Sequence, residues 1–234
     1  INLDTIRNYK IKPTLVAVIK RGIDLNFFNN EKNYQNEIKV IFEELDIKND
    51  DIKILLPGRI TGWKGHLLTL KAIKKLSNSY QNIKLIFVGP DENVKLKNDL
   101  INFIEEHKLQ NNVIFTGSRH DINTFYALAD LVVTASTDPE AFGRVAVEAQ
   151  AMGKFIIASN HGGSKETVID NETGYLFVPN DVEDLTKKLK NSIDSEIYKQ
   201  PETIKSCINH IKENFTKIRM CDETIKFYKT VLDK

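Results

Sequence analysis

Leu131-Val132-Val133-Thr134-Ala135-Ser136-Thr137-Asp138-Pro139-Glu140-Ala141-Phe142-Gly143-Arg144-Val145-Ala146-Val147-Glu148-Ala149-Gln150-Ala151-Met152-Gly153-Lys154-Phe155-Ile156-Ile157-Ala158 reads as strand, turn, helix and strand in succession. Leu131 to Thr134 and Phe155 to Ala158 are short, nearly continuous apolar runs, the pattern of parallel strands covered on both faces. Asp138-Pro139 marks a turn. Arg144 to Met152 carries good helix formers until Gly153 stops it.

The same alternation runs outward through the chain. Apolar runs recur at Leu15 to Ile19, Ile52 to Leu56, Lys84 to Val88 and Val113 to Phe115, with a further short strand at Gly174 to Val178. Helical patterns lie at Glu31 to Leu45, Gly65 to Leu76, Val94 to Glu106 and Ile122 to Ala129. Asp181 to Lys190 begins a helical tail, and Thr216 to Leu232 is its last helix. The order predicts an α/β fold, a Rossmann-like doubly wound parallel sheet with helices on both faces. No internal repeat, low-complexity linker or second core interrupts it, so residues 1–234 read as one domain.

In such sheets ligands bind outside the carboxyl ends of the strands. The loops there are polar, and most hold several Gly or Pro residues: 57–65, 89–92, 116–120, 136–143 and 159–163. Glu140 lies before the first turn of the 144–152 helix and Glu148 inside it. Between them Phe142, Gly143, Arg144 and Val145 present backbone N–H groups at a helix N-terminus, which lack intrahelical partners and favour an anion. Two acids around an anion site suit a ligand that is part phosphate and part polyol. Taken alone, acids eight apart on a helix more often line a solvated face, and the surrounding sequence changes that reading.

Arg59 and Lys64 flank a glycine-rich turn on the same sheet edge. Arg can fork onto two phosphate oxygens, and Lys acts as a movable point charge; both also read as surface cations. Gly58, Gly62 and Gly65 let backbone come close to a ligand. The ending of a Walker loop is absent, as is the Gly-x-Gly-x-x-Gly dinucleotide fingerprint. No Asp-x-Asp occurs to hold a divalent metal, and the five histidines show no helical metal spacing. His161-Gly162-Gly163 reads either as backbone that hugs a sugar or phosphate, or as a plain tight turn.

Bulk properties narrow the class. With 41% hydrophobic and 28% charged residues the chain reads as soluble and globular. A net charge of +1 gives no electrostatic pull toward nucleic acid. Cys207 and Cys221 have no metal-ligand spacing and suit a reducing compartment. The two glycosylation triplets, at Asn171 and Asn214, are read as chance matches. No run approaches the length of a membrane span. The sequence begins at Ile1, and its only methionines are Met152 and Met220; the expectation is a C-terminal piece of a longer protein, or a trimmed one.

In this order and spacing the residues resemble the donor-binding domain of retaining glycosyltransferases of the GT-B fold, family 4, also called glycosyltransferase group 1. The resemblance rests on Arg21-Gly22-Ile23-Asp24, Gly58-Arg59 with Lys64-Gly65, Phe87-Val88-Gly89, Phe115-Thr116-Gly117, Ala129-Asp130, Glu140-x-Phe142-Gly143 through Glu148-Ala149, Gly162-Gly163 with Glu166, and Phe215-Thr216. It covers nearly the whole chain.

The resemblance implies roles. Arg59 and Lys64 would hold the donor diphosphate and stabilise it as leaving group, beside Gly58. Glu140, with the N–H groups around Phe142 and Gly143, would bind the transferred sugar and its neighbouring phosphate, orienting hydroxyls rather than acting as nucleophile. Arg144 and Val145 would line the phosphate or ribose side, Glu148 would bind the ribose hydroxyls, and Arg119 would lie near the base. The expected partners are a UDP- or GDP-linked sugar, a carbohydrate or lipid-linked acceptor, and an N-terminal acceptor-binding domain not in this chain. No metal or other cofactor and no nucleic acid is expected. The isolated piece would bind donor but transfer sugar poorly or not at all. The setting implied is bacterial lipopolysaccharide or surface polysaccharide synthesis, in the cytoplasm or peripherally at the inner membrane face. Two other readings compete: a sugar-nucleotide epimerase, and a non-catalytic nucleotide-binding subunit that pairs with an acceptor-binding chain.

Overall fold

The computed structural model describes residues 15–233. Six parallel strands form one sheet in the order β3-β2-β1-β4-β5-β6. They are β1 (Ile52–Pro57), β2 (Ile83–Val88), β3 (Val113–Phe115), β4 (Leu131–Thr134), β5 (Phe155–Ser159) and β6 (Gly174–Phe177). The helices are α1 (Gln35–Leu45), α2 (His66–Leu76), α3 (Val94–Glu106), α4 (Ile122–Leu128), α5 (Arg144–Ala151), α6 (Ser164–Thr167), α7 (Val182–Ser195), α8 (Pro201–Asn214) and α9 (Lys217–Leu232).

Side chains alternate across each strand, and each face builds its own core. Leu55, Ile86, Val132 and Ile156 point to one face, which packs α1, α4, α5 and α8 through Ile41, Phe125, Val147 and Ile211. Ile54, Leu85, Val133 and Ile157 point to the other, covered by α2, α3 and α7 through Ile73, Leu100 and Leu189. Every residue of β4 and β5 is buried, which is why these runs carry no polar alternation. Leu55 pairs with Ile86 on one side and Val132 on the other. The strand order therefore reverses at β1 and β4, and this opens the crevice in which such sheets hold ligands.

The sequence reading places α3 at its observed ends and misses other elements. Leu15 to Ile19 is not a strand: it pairs with no neighbour among the described residues, and Val16 and Val18 are exposed. Apolar β-branched residues favour extended backbone, but a strand also needs a partner for its N–H and C=O groups. Helix α1 starts at Gln35 rather than Glu31. Asn29 accepts from the Glu31 N–H and Asn33 from the Gln35 N–H, local bonds that compete with helix. The tail holds α8 as a separate helix with Pro201 in its first turn.

The motif at 21–24 closes the fold. Ile23 N–H donates to Phe215 O at 2.9 Å and Lys217 N–H to Ile23 O at 3.0 Å. A Cβ on Gly22 would stand 2.1 Å from Thr216 O, so only glycine permits this approach. Thr216 caps α9. No side chain of α9 is buried, and Ile218, Ile225, Tyr228 and Val231 stand exposed along it.

Candidate functional site

Three glycine contacts bring the loops after β1, β4 and β5 together. Gly65 caps α2 at φ 74°, and a Cβ there would lie 1.9 Å from Ala135 O. Trp63 O accepts from Thr137 N–H at 2.7 Å. Gly162, at φ 54°, and Gly163 press against the backbone of Glu140 and Phe142, where added Cβ atoms would meet main chain at 2.4 and 2.3 Å. Gly163 N–H also donates to Glu140 O at 2.7 Å. The glycine pair thus shapes the loop before α5 from behind.

This packing brings Lys64 to Glu140. Lys64 Nζ donates to Glu140 Oε1 at 2.6 Å, with the side chains 16% and 12% exposed. Ser136 Oγ donates to the same oxygen, while His161 Nε2 meets Ser136 O at 2.8 Å. Glu140 Oε2 has no hydrogen-bond partner among the described residues. Lys64 Nζ also lies 4.4 Å from the Trp63 ring centroid.

Helix α5 begins at Gly143, which sits at φ 78° and gives no side-chain cap. Among the described residues no acceptor takes the N–H groups of Phe142, Gly143, Arg144 or Val145. They form the donor set at a helix N-terminus that the sequence predicts. The Phe142 ring turns toward Phe215, with centroids 6.0 Å apart, so Phe142 offers its backbone.

A cleft of about 460 Å³ lies over the carboxyl ends of β1 and β2, bounded by the loop after β3 and the start of α5. Gly58, Arg59, Arg119, Arg144, Val145 and Glu148 line it, and Phe27 and Phe28 add an apolar wall. Lys64, Glu140, Phe142 and Gly143 are not part of that lining. Arg59 is exposed and, among the described residues, has no ion-pair partner. Gly58 and Gly89 set the floor: a Cβ on Gly89 would lie 2.1 Å from Gly58 O.

Glu148 is 7% exposed. Its Oε1 accepts from Arg144 Nε at 3.1 Å and Nη2 at 2.8 Å. Its Oε2 accepts from the Tyr126 hydroxyl at 2.8 Å. Burial, then the Glu148 carboxylate, pushes the Tyr126 phenol up from its ordinary range, so it stays a donor at neutral pH. Arg119 is more committed than the sequence suggests. Its Nε and Nη2 fork onto Asp121 at 2.9 Å each, and its Nη1 reaches Glu44 at 2.7 Å. It also sits 5.1 Å over the Phe125 ring. Hydrogen bonding to Asp121 holds it firmly protonated. At the cleft it acts as a braced wall.

Tyr126 and Ser136 build this site and escape the sequence reading. Tyr126 is hidden in the apolar pattern of α4, and Ser136 is one hydroxyl in a polar loop. The described residues contain no grouping of three His, Cys, Asp or Glu side chains suited to a metal ion, and no helix there is long and apolar enough to cross a membrane.

The family model described as "Glycosyl transferases group 1" matches residues 37–213. The lipopolysaccharide 1,2-N-acetylglucosaminetransferase of Salmonella typhimurium is 31% identical over 209 residues, covering 85% of this chain and 53% of that protein. A glycosyltransferase crystal structure from Rickettsia africae superposes with a TM-score of 0.91 at 31% identity, over 98% of this chain and 61% of that one. Anabaena HepE in complex with UDP-glucose gives a TM-score of 0.84 at 25% identity, over 94% of this chain and 58% of that one. The chain spans about half the length of the curated relatives it matches.

Proposed function

Because the chain belongs to the glycosyl transferases group 1, we propose that it is the donor-binding domain of a retaining, metal-independent enzyme that moves a sugar from a nucleoside diphosphate to an acceptor. The observation that carries the reading is the cleft over the carboxyl ends of β1 and β2, beside the start of α5. It has Arg59 and a nearly buried Glu148 in its lining, with the N–H groups of the α5 N-terminus beside them; among the described residues neither Arg59 nor those N–H groups have a partner.

Breaking a glycosyl–phosphate bond leaves negative charge on the diphosphate and positive charge on the sugar. Arg59, Lys64 and the α5 N-terminus are preorganised donors for the first charge. Glu140, held at Oε1 by Lys64 and Ser136, orients sugar hydroxyls and favours the developing cation. Lys64 begins paired to Glu140, so the arriving diphosphate shares a cation already in place. Glu148 takes the ribose hydroxyls. The diphosphate is neutralised by these cations in place of a divalent ion.

The relatives extend the reading. The Salmonella protein is named for lipopolysaccharide and HepE was solved with UDP-glucose, so a UDP-linked donor and a role in bacterial surface polysaccharide at the cytoplasmic membrane face are the first to test. The unburied face of α9 suits an adjoining acceptor-binding domain.

A thermal-shift panel of UDP, GDP, ADP and their sugar conjugates, with and without magnesium, tests the proposal. A nucleotide at 100 times its Kd adds about 2.7 kcal/mol, a shift of roughly 5–10 °C for a domain of this size. A metal-independent shift that disappears in Arg59→Ala and Glu148→Ala is expected. No shift with any nucleotide would sink the donor-domain reading for this chain.

A further inference from the structure

We infer that Tyr126 is a positioning residue for ribose recognition, holding the Glu148 carboxylate in the orientation from which it takes the sugar hydroxyls. The inference rests on the donor-site reading of Glu148.

The two partners of Glu148 differ in kind. Arg144 reaches it from the solvent side with a side chain that is 70% exposed. The carboxylate itself is nearly buried, so the exchangeable half of the pair is the long, solvent-facing Arg144 side chain. Tyr126 reaches it from the interior and is fully buried. Its ring packs edge-on against Phe28, with centroids 5.8 Å apart, and Phe28 packs likewise on Phe27 at 4.9 Å. A phenol on a packed ring has two torsions to fix, so its hydroxyl is a rigid donor.

The division of labour follows from the acceptor count. An ionised carboxylate has about four lone-pair sites. Arg144 spends two donors on Oε1, and Tyr126 spends one on Oε2. A ribose diol brings two donors. Arg144 can swing into solvent to admit them, whereas Tyr126 cannot leave without opening the core. Tyr126 therefore keeps the carboxylate plane fixed while Arg144 is exchanged for the ligand. Phe28 lines the same cleft, so one buried ring sets both the apolar wall and the acid.

The test is calorimetric binding of UDP, GDP and ADP, and of their 2′,3′-dideoxy counterparts, to this chain and to Tyr126→Phe. The Phe variant keeps the ring and removes only the hydroxyl; its melting curve checks the fold. Wild type should bind the best nucleotide at least tenfold more tightly than its dideoxy form. Tyr126→Phe should lose about tenfold for the ribonucleotide, the scale of a hydrogen bond to a charged group, and nothing for the dideoxy form. In a Glu148→Gln background the Tyr126→Phe loss should disappear.

Equal losses for both sugars would reduce Tyr126 to a structural role and overturn the inference alone, as would full discrimination retained in Tyr126→Phe. A wild type blind to the ribose hydroxyls, or binding none of the three nucleotides, would overturn the Glu148 reading and the inference with it.

Discussion

The two ends of β1 and β4 each carry a lysine–carboxylate pair, and the ends differ in what surrounds the pair. At the amino ends, Lys53 Nζ donates to Asp130 Oδ2 at 2.9 Å and to Asp51 O at 2.6 Å. The Lys53 N–H donates to the same Asp130 oxygen at 2.8 Å, and the Asp130 N–H returns a bond to Lys53 O at 2.8 Å. Lys154, beside them, donates to Ala127 O. At the carboxyl ends, Lys64 and Glu140 stand among glycine-packed loops, with Arg59 and the α5 N–H groups, which have no partner among the described residues. Thr61 Oγ1, both His66 ring nitrogens and Ser159 Oγ are buried there without a protein partner. Gln150 Oε1 and His210 Nε2 are orphaned elsewhere. One end spends its polar groups on itself; the other keeps them available. Buried polar groups are normally satisfied, and among the described residues the carboxyl end holds more protein-unpaired polar atoms than the amino end.

The largest effect should come from breaking the closed end. Asp130→Ala leaves Lys53 largely buried without its acid and should cost about 3 kcal/mol. Urea unfolding would show the lowered midpoint, and nucleotide affinity should stay unchanged. If Asp130→Ala weakened nucleotide binding instead, the division between the two ends would collapse.

A similar cost sits at the open end but appears only in acid. Burial, with Lys64 nearby, lowers His66 to about 4, against about 6.5 for an unperturbed histidine. The unfolded chain takes up the proton first, so stability is full above about pH 6.5 and falls as the pH drops toward 4. The loss approaches about 3 kcal/mol at the shift of His66. Stability measured from pH 7 to 4 should show this slope, and His66→Leu should flatten it. A slope unchanged in His66→Leu would assign it to other groups.

The smallest effect on stability and a clear one on binding is expected for Arg59→Ala. Exposed and without an ion-pair partner among the described residues, it should alter folding by no more than about 0.5 kcal/mol. It should weaken diphosphate binding by about 2 kcal/mol, the value of a charge-assisted bond. Equal losses in both measurements would mean that Arg59 braces the loop rather than serving the ligand.

Much of this contrast is legible in the sequence. The apolar runs of β1, β4 and β5 and the helix formers of α5 set the sheet and place Glu140 and Glu148 at its carboxyl edge, because burial on two faces leaves an unbroken hydrophobic signature. What the sequence hides is partnership. Nothing local says that Tyr126 turns its hydroxyl to Glu148 across 22 positions, that Glu44 and Asp121 absorb Arg119, or that Gly162 and Gly163 face Glu140 and Phe142. Apart from the neighbouring Asp121, these partners are brought together by how helices and loops pack in space, and a spacing pattern does not carry that. Leu15 to Ile19 fails for a related reason: its composition is that of a strand, and the missing ingredient is a neighbour.

Helix α9 has a kinetic consequence. Its sixteen residues bury no side chain, and a helix of that length is marginal in water without packing. Beyond Thr216, the Lys217–Ile23 backbone bond, the Lys217–Asp24 ion pair and the Arg219 bond to Glu213 O, its backbone opens without disturbing either core of the described residues. Its amides should therefore exchange with deuterium orders of magnitude faster than those of α8, which is pinned by Cys207 and Ile211. Slow exchange along α9 would be the signature of a surface closing over it.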